Sequence, residues 1–151
     1  MLHINTANPT VSTIAEDFVR AAHDAEGWAG QNWDDAVLVD VVTLDGLIAR
    51  YGVPAFIKID VEGSEDAVLR GLSHPVRALS FEFTTIARDV AMNCLDRLCA
   101  LADHRYNVAL GESQTMTFER WLTAEAIADH LSKLPHAANS GDVYARIAVD
   151  R

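Results

Sequence analysis

The segment 56–65, FIKIDVEGSE, most constrains how this chain can fold. Apolar side chains alternate along it with Lys58 and Asp60, which predicts a mostly buried β-strand over 55–61. A glycine then breaks the run, and the serine after it is a residue type that caps helices. We therefore predict a strand, an acidic turn and a short helix over 65–70.

The acidic turn marks the edge of the sheet where we look for a functional site. In open α/β sheets, ligands bind outside the carboxyl ends of parallel strands. Asp60 and Glu62 follow the predicted strand at that end. Glu65 is better explained by its favourable position at the amino end of the following helix.

Composition and charge limit the classes of protein that need to be considered. The 151 residues, 50% hydrophobic and 23% charged, fit one domain over 1–151 with a sizeable core. A net charge of -10 without a basic cluster disfavours binding to nucleic acid or to anionic membranes. Cys94 and Cys99 lack CxxC spacing, and no leader or membrane-length apolar run occurs, so we expect a cytoplasmic protein.

The other segments predict an alternation of helices and strands. Trp28 and Trp33 lie in a loop over 26–35, where we expect them to cover the edge of the core rather than to bind a substrate. The predicted elements are a helix capped by Thr13 that ends near Gly27, a strand over 37–42, a helix after Thr43 that ends at Gly52, strands over 78–84, 106–110, 115–119 and 143–149, and helices over 89–102 and after Thr123.

Two segments, 41–72 and 78–83, resemble the second half of an FkbM-family S-adenosylmethionine-dependent methyltransferase. The KIDVEGxE pattern over 58–65 is the most specific part, and the tail 141–147 is similar to the final strand of that family. The resemblance covers most of residues 37–149. It implies an α/β fold with a partial Rossmann-like methyltransferase sheet, in which carboxyl-terminal strands are flanked by helices and closed by an antiparallel strand.

The chain departs from that family at its amino-terminal end. Family members carry a glycine-rich turn for the cofactor, but here the nearest glycine pair, Gly27 and Gly30, follows a predicted helix. The chain thus resembles the carboxyl-terminal part of a methyltransferase domain. A truncated chain, a mis-assigned start at Met1 and a natural half-domain all remain open, and we do not expect S-adenosylmethionine to bind strongly to this chain alone.

The resemblance implies methyl transfer to a hydroxyl of a small-molecule or sugar-like acceptor. Such a reaction needs in-line positioning and a base. We predict catalytic roles for Asp60, Glu62, Lys58 and Glu82, and cofactor binding by Asp60 and Gly63. No metal is assigned, although Asp60 and Glu62 could hold a divalent cation.

Lys58 has two interpretations, which the sequence leaves equally open. It is either part of a structural ion pair, with Asp60 or Glu82, or it fixes the carboxylates of the site. In a buried pair with Glu82, replacement of Lys58 by methionine would be strongly destabilising.

Two further functions compete with the methyltransferase. The first is a non-catalytic remnant that binds itself or another chain. In the family's sheet the strand over 55–61 is central, so without its neighbours it has an open edge that residues 1–42 or a second copy must cover. We therefore predict a homodimer. The second is a metal-dependent hydrolase that uses Asp60, Glu62 and Glu82.

Overall fold

The computed structural model describes residues 1–148, which form five α-helices and two β-sheets. Among these residues, no helix is both long and apolar enough to cross a membrane. The elements in chain order are β1 (Leu2–Ile4), α1 (Glu16–His23), β2 (Asp35–Val37), α2 (Leu44–Tyr51), β3 (Ile57–Ile59), α3 (Glu65–Arg70), β4 (Ala78–Thr84), α4 (Arg88–Leu101), β5 (His104–Leu110), α5 (Ala124–Lys133) and β6 (Ser140–Ile147), with 3-10 turns at Pro9–Val11 and His136–Ala138.

The larger sheet has the strand order β3-β4-β6-β5. β3 and β4 are parallel, with Ile59 opposite Phe81, whereas β6 runs antiparallel between β4 and β5. The fold is therefore α/β with a mixed sheet flanked by helices. This arrangement confirms the predicted partial Rossmann-like sheet with its antiparallel closing strand.

Local capping explains why the helices begin where the sequence predicted. The hydroxyl oxygen of Thr43 accepts from the Gly46 amide at the start of α2, and Thr123 accepts from the Ala126 amide at the start of α5. α2 ends at Gly52, whose positive φ of 89° favours glycine. Both capped helices are confirmed.

The main core lies between the large sheet and the helices packed on it. Leu79, Phe81 and Phe83 alternate along β4 and are buried, as the period of a strand requires. From α4, Cys94 and Leu98 are fully buried in the same cluster. Burial of these side chains fixes the orientation of β4. The side chains that alternate with them therefore lie on the other face of the sheet.

A second cluster joins the amino-terminal segment to the acidic turn. Phe18 of α1 packs edge-to-face on Trp28, with 5.0 Å between ring centroids. The indole N–H of Trp33 donates to the Val11 carbonyl at 2.8 Å. Both tryptophans therefore pack at the edge of the core, as predicted.

The sequence overestimated how far the strands before the site extend. The strand predicted over 37–42 is instead Asp35–Val37, which pairs with β1 in a separate two-stranded sheet. Residues 38–42 lie outside any strand, and Leu38 is 82% exposed. β3 spans Ile57–Ile59 and not 55–61, because only these three residues pair with β4. Alternation indicates which face is buried, but pairing decides the length of a strand.

Two other predictions need correction, and one lies outside the description. Residues 115–119 form no strand, because the Asn107 side chain binds the Phe118 backbone at both its N–H and its carbonyl. α1 begins at Glu16, and the Thr13 hydroxyl accepts from the Ala15 amide before the helix. The predicted end of the last strand, at Val149, lies outside the described residues.

Candidate active site

The acidic turn after β3 depends on two residues with left-handed backbone conformation. Glu62 has a φ of 51° and Gly63 a φ of 88°. A Cβ atom on Gly63 would lie 2.7 Å from the Phe18 side chain. Glycine is therefore required here by both the conformation and the packing of α1 over the turn.

The buried side chain of Glu65 stabilises the turn. Its carboxylate oxygens accept from the amides of Val61 at 3.1 Å and of Gly63 at 3.1 and 3.2 Å. Burial raises the pKa of Glu65, and these backbone hydrogen bonds oppose the rise. The side chain of Ser64 makes no capping bond, so the predicted serine cap of α3 is wrong. A structural role for Glu65 agrees with this geometry.

Three carboxylates gather on the other side of the turn. Asp60 follows β3, and the parallel register of Ile59 with Phe81 brings Asp60 beside Glu82 of β4. One oxygen each of Asp60, Glu62 and Glu82 lies within 4.8 Å of the others. Three of the four predicted catalytic residues therefore meet at one place.

In this acidic cluster of Asp60, Glu62 and Glu82, Glu62 is buried and Glu82 is half-buried. Glu62 is 9% exposed, and the Oε2 atoms of Glu62 and Glu82 have no hydrogen-bond partner within residues 1–148. Burial, followed by the charges of Asp60 and Glu65, raises the pKa of Glu62 to about 7. Burial, with the charges of Glu62 and Asp60, raises the pKa of Glu82 to about 9. The cluster can therefore hold protons at neutral pH.

Lys58 lies beside the acidic cluster but contacts only one member of it. Its Nζ atom is 3.3 Å from Oδ2 of Asp60 and donates to Asp142 of β6. Burial alone would lower the pKa of Lys58, but the hydrogen bond and charge of Asp142, with the charge of Asp60, raise it overall. The sequence had left Glu82 open as an ion-pair partner of Lys58, but in the structure the lysine pairs with Asp60 and Asp142. The lysine reaches Asp142 because β6 lies directly beside β4.

Two cavities meet at Asp60. A polar pocket of about 230 Å³ includes Lys58, Asp60, Glu82, Asp142 and Tyr144 in its lining. An apolar groove of about 420 Å³ runs between the amino-terminal residues and α2, and Asp60 lies at its edge as well. A ligand bound in either cavity can therefore reach the same carboxylate.

The sequence did not identify Asp142 and Tyr144 as site residues. Tyr144 lies in the strand predicted over 143–149, whereas Asp142 lies just before it, and the structure extends that strand back to Ser140. The order of the strands was needed to bring both residues into the pocket, because Asp142 lies 84 residues from Lys58 along the chain.

Comparison with known families matches the Methyltransferase FkbM domain over residues 3–140. The chain belongs to the FkbM methyltransferase domain family. The match includes the amino-terminal residues before 37, which the sequence resemblance had not covered, and it ends before most of β6. No curated protein and no solved structure matches this FkbM domain.

The acidic cluster suits part of S-adenosylmethionine, the cofactor that the family implies. A carboxylate at Asp60 could face the positive sulfonium, and the adjoining apolar groove suits an adenine ring. The turn itself offers no free amide at Gly63, because Glu65 accepts from that N–H and Phe18 covers the Cα. In this FkbM domain, the turn therefore does not supply the backbone amides that a glycine-rich turn offers to an anionic group.

Proposed function

We propose that this chain supplies the acceptor side of an S-adenosylmethionine-dependent O-methyltransferase, acting on a hydroxyl of a small-molecule or sugar-like substrate. The observation that supports it is the group of acids at the carboxyl end of β3, in which the pKa of Glu62 is raised to about 7. A general base works best when its pKa lies near the operating pH.

Asp60 is the residue that would contact the acceptor. Its side chain is 47% exposed and lies on both cavities, so a hydroxyl in the polar pocket can donate to it. Lys58, held by Asp142, fixes one oxygen of that carboxylate. Asp60 can therefore present a defined oxygen to the hydroxyl proton.

Glu62 and Glu82 would act through Asp60 and would not contact the acceptor. The cofactor supplies the methyl group, and the acceptor oxygen loses its proton as it gains that group. A proton taken by Asp60 can pass to Glu62, whose pKa of about 7 allows it to accept one at neutral pH, whereas Glu82, with a pKa of about 9, is already protonated there. Cofactor contact by Asp60 forms part of the proposal, whereas Gly63, predicted from the sequence to bind the cofactor, is left out because its N–H donates to Glu65.

Titration calorimetry with S-adenosylmethionine and S-adenosylhomocysteine tests this function first. We expect weak, saturable binding that is lost in Asp60→Asn. The matched control is Asp96→Asn, which changes an exposed acid on α4 without a hydrogen bond among the described contacts. Binding that Asp60→Asn leaves unchanged would contradict the proposed cofactor contact, and absence of binding at millimolar ligand would reject a cofactor site on this chain.

A second candidate is self-association through the open edge of β3. The other side of β3 has no neighbouring strand within residues 1–148. A second apolar groove, also of about 420 Å³ but distinct from the one at Asp60, lies beside it. Tyr51, Val53 and Phe56 near this edge are 71%, 72% and 47% exposed. We propose that a second copy pairs here, since unpaired strand edges bind other strands.

Sedimentation over a range of concentrations tests the homodimer. We expect the dimer to dissociate at higher concentration in Phe56→Asp than in the wild type. The control Glu125→Gln, on α5, should leave the dissociation unchanged. A wild-type chain that stays monomeric at all concentrations would reject this candidate.

We also propose that the chain acts as one domain in the cytoplasm, without binding nucleic acid or membranes. Its net charge of -10 and its two free cysteines, Cys94 and Cys99, support this proposal. Retention on heparin or on anionic vesicles at physiological salt would contradict it.

A further inference from the structure

The acidic cluster carries more negative charge than its protein neighbours neutralise. Lys58 contacts Asp60, but no ion pair within residues 1–148 includes Glu62 or Glu82. Lys58 is also shared with Asp142. The buried Glu62 and the half-buried Glu82 thus lie beside Asp60 without an ion-pair partner of their own in the described part of the chain.

The buried oxygen of Glu62 is independent evidence for a missing partner. The residue is only 9% exposed, and its Oε2 atom has no hydrogen-bond partner in the described part of the chain. Burying a carboxylate oxygen without a partner is costly, so such an atom in a packed site calls for an explanation. Glu82 Oε2, at the same place, is buried and unpartnered too.

The spacing of the three carboxylates suits a single ion. Oxygen ligands at 2.0–2.6 Å from one Mg²⁺ or Ca²⁺ ion lie at most about 5.2 Å apart. One oxygen each of Asp60, Glu62 and Glu82 falls within 4.8 Å of the others. The polar pocket of about 230 Å³ opens onto Asp60 and Glu82, which leaves room for water ligands.

A shared proton explains these observations less completely. The raised pKa values of Glu62 and Glu82 allow protons to reduce the charge at neutral pH. A proton on Glu82 can be shared with Asp60, which hydrogen-bonds the Glu82 side chain, but it leaves Oε2 of Glu62 and Oε2 of Glu82 without a partner within residues 1–148. A cation can bind one oxygen of each carboxylate at once, since these oxygens lie within 4.8 Å of one another.

We propose that Asp60, Glu62 and Glu82 bind one hard divalent cation of the Mg²⁺ or Mn²⁺ class. The three protein ligands are all carboxylates, without the histidine or cysteine that zinc prefers. Few protein ligands and an open pocket suit an ion that keeps several waters. This proposal rests on the geometry of the cluster and does not depend on methyl transfer.

Titration with Mn²⁺ alone, followed by the electron paramagnetic resonance signal of the free ion, tests the site in the 151-residue chain. We expect one ion per chain in the strongest class of sites. Glu62→Gln and Glu82→Gln should each weaken that class at least tenfold, and excess Mg²⁺ should displace the ion.

The matched control is Glu125→Gln, an exposed acid in the first turn of α5. It should bind Mn²⁺ like the wild type, and a thermal melt of each variant shows that the fold is retained. Equal binding in the wild type and in both cluster variants would overturn the proposal, because the ion would then bind elsewhere on an acidic surface. So would the absence of saturable binding in the wild type.

The outcome is separate from that of the proposed function. Mn²⁺ binding without any binding of S-adenosylmethionine would leave the cation site standing and remove the cofactor site. Cofactor binding without Mn²⁺ binding would do the reverse.

Discussion

Two sides of the turn after β3 hold buried carboxylates in opposite ways. On the inner side, Glu65 accepts three backbone hydrogen bonds from Val61 and Gly63. On the pocket side, Glu62 and Glu82 are also largely buried, yet each has an oxygen without a partner. Burial alone therefore does not show whether the fold provides an acid with hydrogen-bond partners.

The difference between the two sides lies in what the fold offers each carboxylate. The turn supplies amides to Glu65, so its charge stabilises a backbone conformation that Glu62 and Gly63 adopt with positive φ. Glu62 and Glu82 have mainly other acids beside their carboxylates. The satisfied acid shapes the turn, and the unsatisfied acids are available to a ligand.

The largest expected effect comes from removing the acid on the satisfied side. Glu65→Ala leaves the amides of Val61 and Gly63 without their acceptor, and we expect a loss of about 4 kcal/mol in the free energy of unfolding. Urea denaturation followed by circular dichroism measures it. Glu125→Ala, an exposed acid on α5, is the control and should change stability by less than about 0.5 kcal/mol. If both variants unfold alike, Glu65 does not hold the turn.

Gly63→Ala tests the same turn through its backbone. The left-handed conformation costs an alanine roughly 1–2 kcal/mol, and contact with Phe18 adds a similar amount, so we expect a loss of about 3 kcal/mol. The comparison is Gly30→Ala, because Gly30 also has a positive φ but has no atom near a Cβ. The difference between the two variants in denaturation measures the Phe18 contact, and no difference would contradict it.

Local signals in the sequence predicted the elements that support the site. The strand Ala78–Thr84 and the helix Glu65–Arg70 have the predicted bounds. The period of the apolar residues predicted the strand, and the flanking glycines predicted the limits of the helix. A single sequence displays both signals. Because β4 was predicted correctly, Glu82 lies on the strand to which the sequence assigned it.

Long-range pairing accounts for what the sequence could not predict. The partner of Lys58 is Asp142, which no local pattern connects to it. The exposed segment 38–42 alternates like a strand, but the structure gives it no neighbour. The sequence did assign Glu65 a structural role, and its contacts with Val61 and Gly63 are local. The unpartnered oxygens of Glu62 and Glu82 within residues 1–148 could not be predicted, because they depend on contacts between distant segments.

The pH dependence of stability sharpens the comparison on the pocket side. Glutamates have an ordinary pKa of 4.5, and the folded chain raises that of Glu62 to about 7 and that of Glu82 to about 9. The folded state therefore binds more protons above pH 4.5, and stability falls as the pH rises through these values. In EDTA, the melting temperature of Glu82→Gln should exceed that of the wild type by roughly 4 °C more at pH 8 than at pH 5.

The control for this measurement is Glu125→Gln, whose difference from the wild type should not change with pH. A difference for Glu82→Gln that stays constant from pH 5 to pH 8 would show that Glu82 is not held protonated in the folded chain.

The smallest effect should come from Lys58, which lies at the boundary between the acidic cluster and solvent. A buried pair with Glu82 would have made Lys58→Met strongly destabilising, but the lysine side chain is 43% exposed and pairs with Asp60 and Asp142. Exposed ion pairs contribute about 0–1 kcal/mol, so we expect a loss below about 1 kcal/mol in urea denaturation. The isosteric control Met116→Leu, at an exposed position, should be neutral. A loss above about 3 kcal/mol would mean that Lys58 neutralises the whole cluster, and Glu62 and Glu82 would then belong with Glu65 among the satisfied acids.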